Sequence, residues 1–140
     1  MRDLMNNIDL KRGLSPAVAV TNNTAFVSQI LDTRGLKSAT FALLTGSLAD
    51  TDATFTVLAE EGDASNLSDN TAIADGNLLG TEVLATPLFS SDNKVFKLGF
   101  IDTKRYIRVT ITPADNTGDV YLAGVWITEP ETVPSANPPA

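Results

Sequence analysis

The stretch KVFKLGFIDTKRYIRVTIT, residues 94–112, decides the fold class. Phe96, Leu98 and Phe100 recur at every second position, and beyond Asp102-Thr103-Lys104 the same period returns as Ile107, Val109 and Ile111. A period of two puts each set on one face of a strand. The reading is two antiparallel strands that meet in a hairpin at residues 102–104, with both apolar sets in the core. Tyr106, Arg108, Thr110 and Thr112 then point the other way, toward solvent or a partner.

Working outward, residues 17–21 and 24–31 read as short strands parted at Asn22-Asn23 and closed by an Asp32-Thr33-Arg34-Gly35 turn. Residues 38–45 form another strand. Residues 53–60 alternate cleanly, with Ala53, Phe55, Val57 and Ala59 on one face and Thr54, Thr56, Leu58 and Glu60 on the other. Residues 61–76 are an acidic Ser/Asn/Asp-rich loop, and short runs at 78–84 and 87–90 precede the hairpin. A turn at 113–118 leads to the last strand, 119–128. About eight short strands and no helical stretch predict an all-β chain, an antiparallel β-sandwich of jelly-roll type. Three zones result: an N-terminal arm (1–14), a β body (15–128) and an extended tail (129–140), whose EPETVPSANPPA sequence carries four prolines in twelve residues.

With 140 residues the chain is long enough for one domain with a real core. It has no cysteine, so neither disulfides nor thiolate sites arise. Histidine is absent too, which removes Ser-His-Asp triads, Cys-His nucleophiles and histidine metal sites. The opening MRDLMNNIDL lacks the apolar core of a signal peptide, and no stretch approaches the ~20 apolar residues of a membrane span. The expectation is a soluble protein, not exported by that route and without a membrane partner, in which the Asn22-Asn23-Thr24 and Asn66-Leu67-Ser68 sequons are chance matches.

The net charge is −7 and it is unevenly spread. Nine acids and no base lie between residues 38 and 93, while the rest of the chain holds eight acids and all ten basic residues. A surface so biased repels phosphate, so no nucleic-acid partner is expected. Enzymatic chemistry would have to run on carboxylate pairs such as Asp50 with Asp52 or Glu60 with Glu61, which have few aromatic neighbours to form a sugar subsite. Asp50-Thr51-Asp52 and residues 63–69 offer oxygen ligands for calcium but no EF-hand spacing, and solvated loop acids are the favoured reading. No phosphate-binding glycine motif occurs. The chain reads as a non-enzyme with no cofactor and no metal.

Binding is a different matter. Trp126 shares a face of the last strand with Val120, Leu122 and Gly124, whereas Tyr121, Ala123, Val125 and Ile127 form the other. A strand apolar on both faces is either central between two layers or packed on another subunit. In the arm, Leu4, Met5, Ile8, Leu10 and Leu14 alternate irregularly with Arg2, Asp3, Lys11 and Arg12. Such a segment lies along a neighbouring subunit or pairs with its own domain as an edge strand. The candidate contact residues are therefore Arg2, Leu4, Met5, Ile8, Lys11, Arg12, Tyr121 and Trp126.

The opening Met1-Arg-Asp-Leu4, the strand FTVLAE at 55–60 with its Asp/Ser-rich loop, the Leu79-Gly80-Thr81 step and above all GFIDTKRYIRV at 99–109 resemble a family of small virion proteins of tailed bacteriophages. The resemblance covers most of the body. It departs from the family pattern at Asp102, where a glycine turn is expected, and in the proline-rich tail. It implies a capsid decoration (cement) protein of β-sandwich type, made in the host cytoplasm. Such a protein sits on the outer surface of the head as a homo-oligomer, dimer or trimer, and clamps neighbouring copies of the major capsid protein. A carbohydrate-binding module aiding host adsorption and a tail or baseplate accessory protein are the alternatives.

Overall fold

The computed structural model of the chain describes residues 3–132. Ten strands run in order β1 (Asp9–Leu14), β2 (Phe26–Val27), β3 (Leu31–Asp32), β4 (Leu36–Leu48), β5 (Thr54–Gly62), β6 (Thr71–Ala72), β7 (Leu78–Leu79), β8 (Val95–Phe100), β9 (Tyr106–Ala114) and β10 (Val120–Pro130). They form two antiparallel sheets. The front sheet has the order β1-β10-β4-β8-β7, and the back sheet β2-β9-β5-β6, with β3 also on β9.

Only the β5–β6 and β7–β8 links join neighbours within a sheet, and β2 and β3 both lie along β9; every other connection changes layer. That is the strand order of a jelly roll. It also corrects the reading of residues 94–112. The two alternating runs are β8 and β9, and they do not pair: β8 lies between β4 and β7 in the front sheet, β9 between β5 and the short β2 and β3 strands in the back. Their inward faces meet across the core instead. Leu98, Phe100, Ile107, Val109 and Ile111 are buried as predicted, and Phe96 is half-buried against them.

The link between them is anchored in both layers. The Ile101 N–H donates to the Asn77 carbonyl (2.9 Å) on the front side, and the Thr33 N–H donates to the Arg105 carbonyl (2.8 Å) on the back. Asp102 adopts φ 49°, the left-handed conformation in which glycine was expected, and its carbonyl accepts from Asn77 Nδ2 at 3.0 Å.

The core is organised around Trp126. Its ring lies edge-on to Phe41 (centroids 4.8 Å apart) and tilted against Phe100 (5.5 Å), and its Nε1–H donates to the Gln29 carbonyl at 3.0 Å. Phe41 needs room beside it. A Cβ at Gly124 would stand 2.4 Å from Phe41 Cζ, and one at Gly13 2.6 Å from Phe41 Cε2, so glycine at these two positions lets β1 and β10 lie under the ring.

Two further readings change. Residues 9–14 are strand β1, paired with β10 from Asp9↔Thr128 to Leu14↔Gly124, so the last six residues of the predicted arm take the second of its two readings, an edge strand of its own domain. Residues 17–21 supply only one bridge, Val20↔Val120, and β4 is longer than predicted because it is central and paired on both sides. β10 runs on to Pro130 at the start of the predicted tail; residues 133–140 of that tail lie outside the described residues.

Candidate interaction surfaces

The outward residues of the front sheet are aligned by its register. Leu10, Ile127, Thr40, Gly99 and Leu79 stand side by side across all five strands. Arg12, Val125, Ala42 and Lys97 form the next row, and Ala123, Leu44 and Val95 the one after. Large apolar side chains are left in solvent: Leu10 is 52% exposed, Leu44 48%, Leu79 57% and Val95 69%, with Tyr121 and Val125 also exposed. They share one face with Thr40, Arg12 and Lys97, and exposed large apolar side chains gathered on one face with polar neighbours mark interaction sites on soluble proteins. Of the charges on this face, Glu129 is matched by Lys37 (Nζ to Oε1, 3.6 Å), whereas Arg12 and Lys97 form no ion pair among the described residues.

A second apolar surface lies on the loop between β7 and β8. Val83 is 81% exposed and Leu84 75%, and Leu88 and Phe89 are exposed as well. The loop is nonetheless firmly held. Glu82 Oε1 accepts the Ala59 N–H on the side of β5 that carries β6, Ala85 and Pro87 are buried, and the Ser91 carbonyl accepts from the Thr45 hydroxyl. Local turns close it, with the Leu84 N–H on Thr81 Oγ1 (3.1 Å) and the Leu88 N–H on Ser91 Oγ (3.1 Å). Its apolar residues had read as strands. The signal was present in the Gly, Thr and Pro residues around them, which mark turns.

The sequence-derived contact residues fall in different places. Leu4 and Met5 are exposed on a 3₁₀ turn ahead of β1, and Ile8 is half-buried at its end. Lys11 and Arg12 are exposed on β1, and Arg12 shares the front face with Tyr121. Arg2 lies outside the described residues. Trp126 is the correction: at 1% exposure it belongs to the core, where no partner can reach it, because its side of β10 faces inward.

The acids serve loops. Asp50 accepts from the Thr117 N–H (2.7 Å), the Thr117 hydroxyl (2.9 Å) and the Asp52 N–H (2.9 Å), and these bonds, the Thr117 N–H foremost, hold its carboxyl below the usual range. Asp69 is lowered in the same way by the Asp63 and Ala64 N–H groups, and Asp32 chiefly by the Arg105 guanidinium that grips it at 2.7 and 3.0 Å. Among the described residues no group of three or more acidic, histidine or cysteine side chains is placed to hold a metal ion. A groove of about 370 Å³ opens at one end of the front sheet between Leu36, Thr40, Leu79, Ile101 and Asp102.

Comparison of the sequence with protein-family models and with curated proteins finds no match.

Proposed function

We propose that this chain is a non-enzymatic virion protein of a tailed bacteriophage, a decoration protein that binds the outer surface of the head and braces neighbouring copies of the major capsid protein. The observation that carries the reading is the exposed apolar face of the front sheet, displayed on a rigid sandwich. A cementing protein gains affinity from apolar area and register from charges, and this face offers both. Leu4 and Met5 are exposed as well, on the turn ahead of β1. The net charge of −7 speaks against a nucleic-acid partner, and among the described residues no helix is long and apolar enough to cross a membrane. The glycan-binding alternative is weakened by the burial of Trp126, which takes the best sugar platform out of reach.

The test uses heads of the encoding phage assembled without this protein. Added back, the purified chain is expected to co-sediment with them and to raise their rupture temperature. A variant lacking residues 1–8, which leaves β1 intact, should bind more weakly. Heads that neither retain the protein nor gain stability would overturn the reading.

A further inference from the structure

Two unpartnered apolar surfaces on one chain carry opposite charge. The front face holds Arg12 and Lys97, one row apart from Leu44 and Val95 and without an ion pair among the described residues. The β7–β8 loop, residues 80–94, offers Val83, Leu84, Leu88 and Phe89 between Glu82 and Asp92, and its one base, Lys94, stands after Asp92 next to β8. Both carboxylates are fixed in place, Glu82 by the Ala59 N–H and Asp92 by the Leu48 N–H (2.9 Å).

We propose that the β7–β8 loop of one copy docks on the front face of the next, so that the chain assembles head to tail. A symmetric face-to-face pair is disfavoured, because it would crowd two copies of Arg12 and Lys97 into one interface. The loop cannot satisfy its own copy's face. Glu82 pins it to β5 in the opposite sheet, and buried Ala85 and Pro87 fix its middle. Donor and acceptor are different surfaces, so a pair of copies leaves one of each unfilled and association continues to three or more copies. The contact gains its energy from apolar side chains on both sides, while Arg12 and Lys97 facing Glu82 and Asp92 set the register. This deepens the homo-oligomer part of the reading above and is independent of what the assembly binds.

The experiment is native mass measurement on the purified full-length chain, with no capsid present, so its failure is separable from failure of capsid binding. Three or more copies are expected. Val83→Ser/Leu84→Ser removes the donor and Leu44→Glu/Val95→Glu the acceptor; all four positions are solvent-exposed, and unchanged circular dichroism verifies the fold. Each variant alone should be monomeric, and their mixture should form a 1:1 pair through the one intact junction. Arg12→Gln/Lys97→Gln should weaken assembly about tenfold at low salt. A wild-type monomer, a wild-type dimer, or variants that assemble as the wild type does would overturn the proposal.

Discussion

The two sheets turn almost identical patterns inward and very different ones outward. On the back sheet the outward rows pair Glu60 with Arg108, Leu58 with Thr110, and Thr56 with Thr112. Glu60 Oε2 receives Arg108 Nε at 2.9 Å and the Thr110 hydroxyl at 3.4 Å, and Asn70 Nδ2 reaches its other oxygen. That surface has matched its charges, and of its large apolar side chains Val27 and Leu58 stay in solvent. The front sheet, built on the same alternation, leaves leucines and valines in water and two cations without an ion pair among the described residues. The jelly roll needs only the inward half of each strand, so the outward half is free to be finished internally or left for a partner.

The sharpest way to test that division is along one strand. Trp126 and Val125 are adjacent on β10, one buried among Phe41 and Phe100, the other on the open front face. Trp126→Ala should cost about 3–5 kcal/mol in urea unfolding, through the cavity and the orphaned Gln29 carbonyl. Val125→Ala should cost under about 0.5 kcal/mol, as exposed substitutions do. If the two costs were similar, the front face would be part of the fold's support and not a free surface.

The next effect compares the charges of the two faces. Glu60→Gln should destabilise the chain by about 1–2 kcal/mol, since it leaves the partly buried Arg108 guanidinium without its counter-charge. Arg12→Gln on the front face loses no ion pair among the described residues, only an exposed hydrogen bond to Ser15 Oγ, and should leave monomer stability nearly unchanged, measured by the same unfolding curves. Adding Arg108→Gln to Glu60→Gln should recover part of the loss; a strictly additive pair would show that the two side chains do not interact in solution.

Much of the fold was legible because burial leaves a period in the sequence. Phe55, Val57 and Ala59, or Ile107, Val109 and Ile111, could be placed inward from spacing alone, whereas spacing separated the two faces of β10, both apolar, without saying which one turned inward. Whether two alternating runs pair side by side or stack across a core leaves no such trace. Residues 94–112 therefore read as a hairpin although β8 and β9 belong to different sheets; only the five-residue link, tied to Asn77 and Thr33, makes the crossing. The Glu60–Arg108 pair joins strands distant in sequence and was equally hidden. On the β7–β8 loop the failure has another cause. Val83, Leu84, Leu88 and Phe89 break the rule that large apolar groups go inside, and a reader who applies the rule makes strands of them. Places where a sequence violates its own fold's logic are where partners are to be sought.

The smallest effect concerns neither face but the loops that hold both in position. Asp50, Asp69 and Asp32 have folded pKa values below their ordinary ones, so each favours the folded state while ionised. Their contribution is complete above the unfolded value of about 4 and is lost as pH falls through the lower folded values. The urea midpoint should therefore be flat near neutrality and decline below about pH 4. Asp50→Asn and Asp69→Asn should lower stability at neutral pH and flatten that decline, because the Thr117, Asp63 and Ala64 N–H groups then face a neutral acceptor at every pH. An acid decline that persisted unchanged in both Asn variants would move the pH-sensitive group away from these loops.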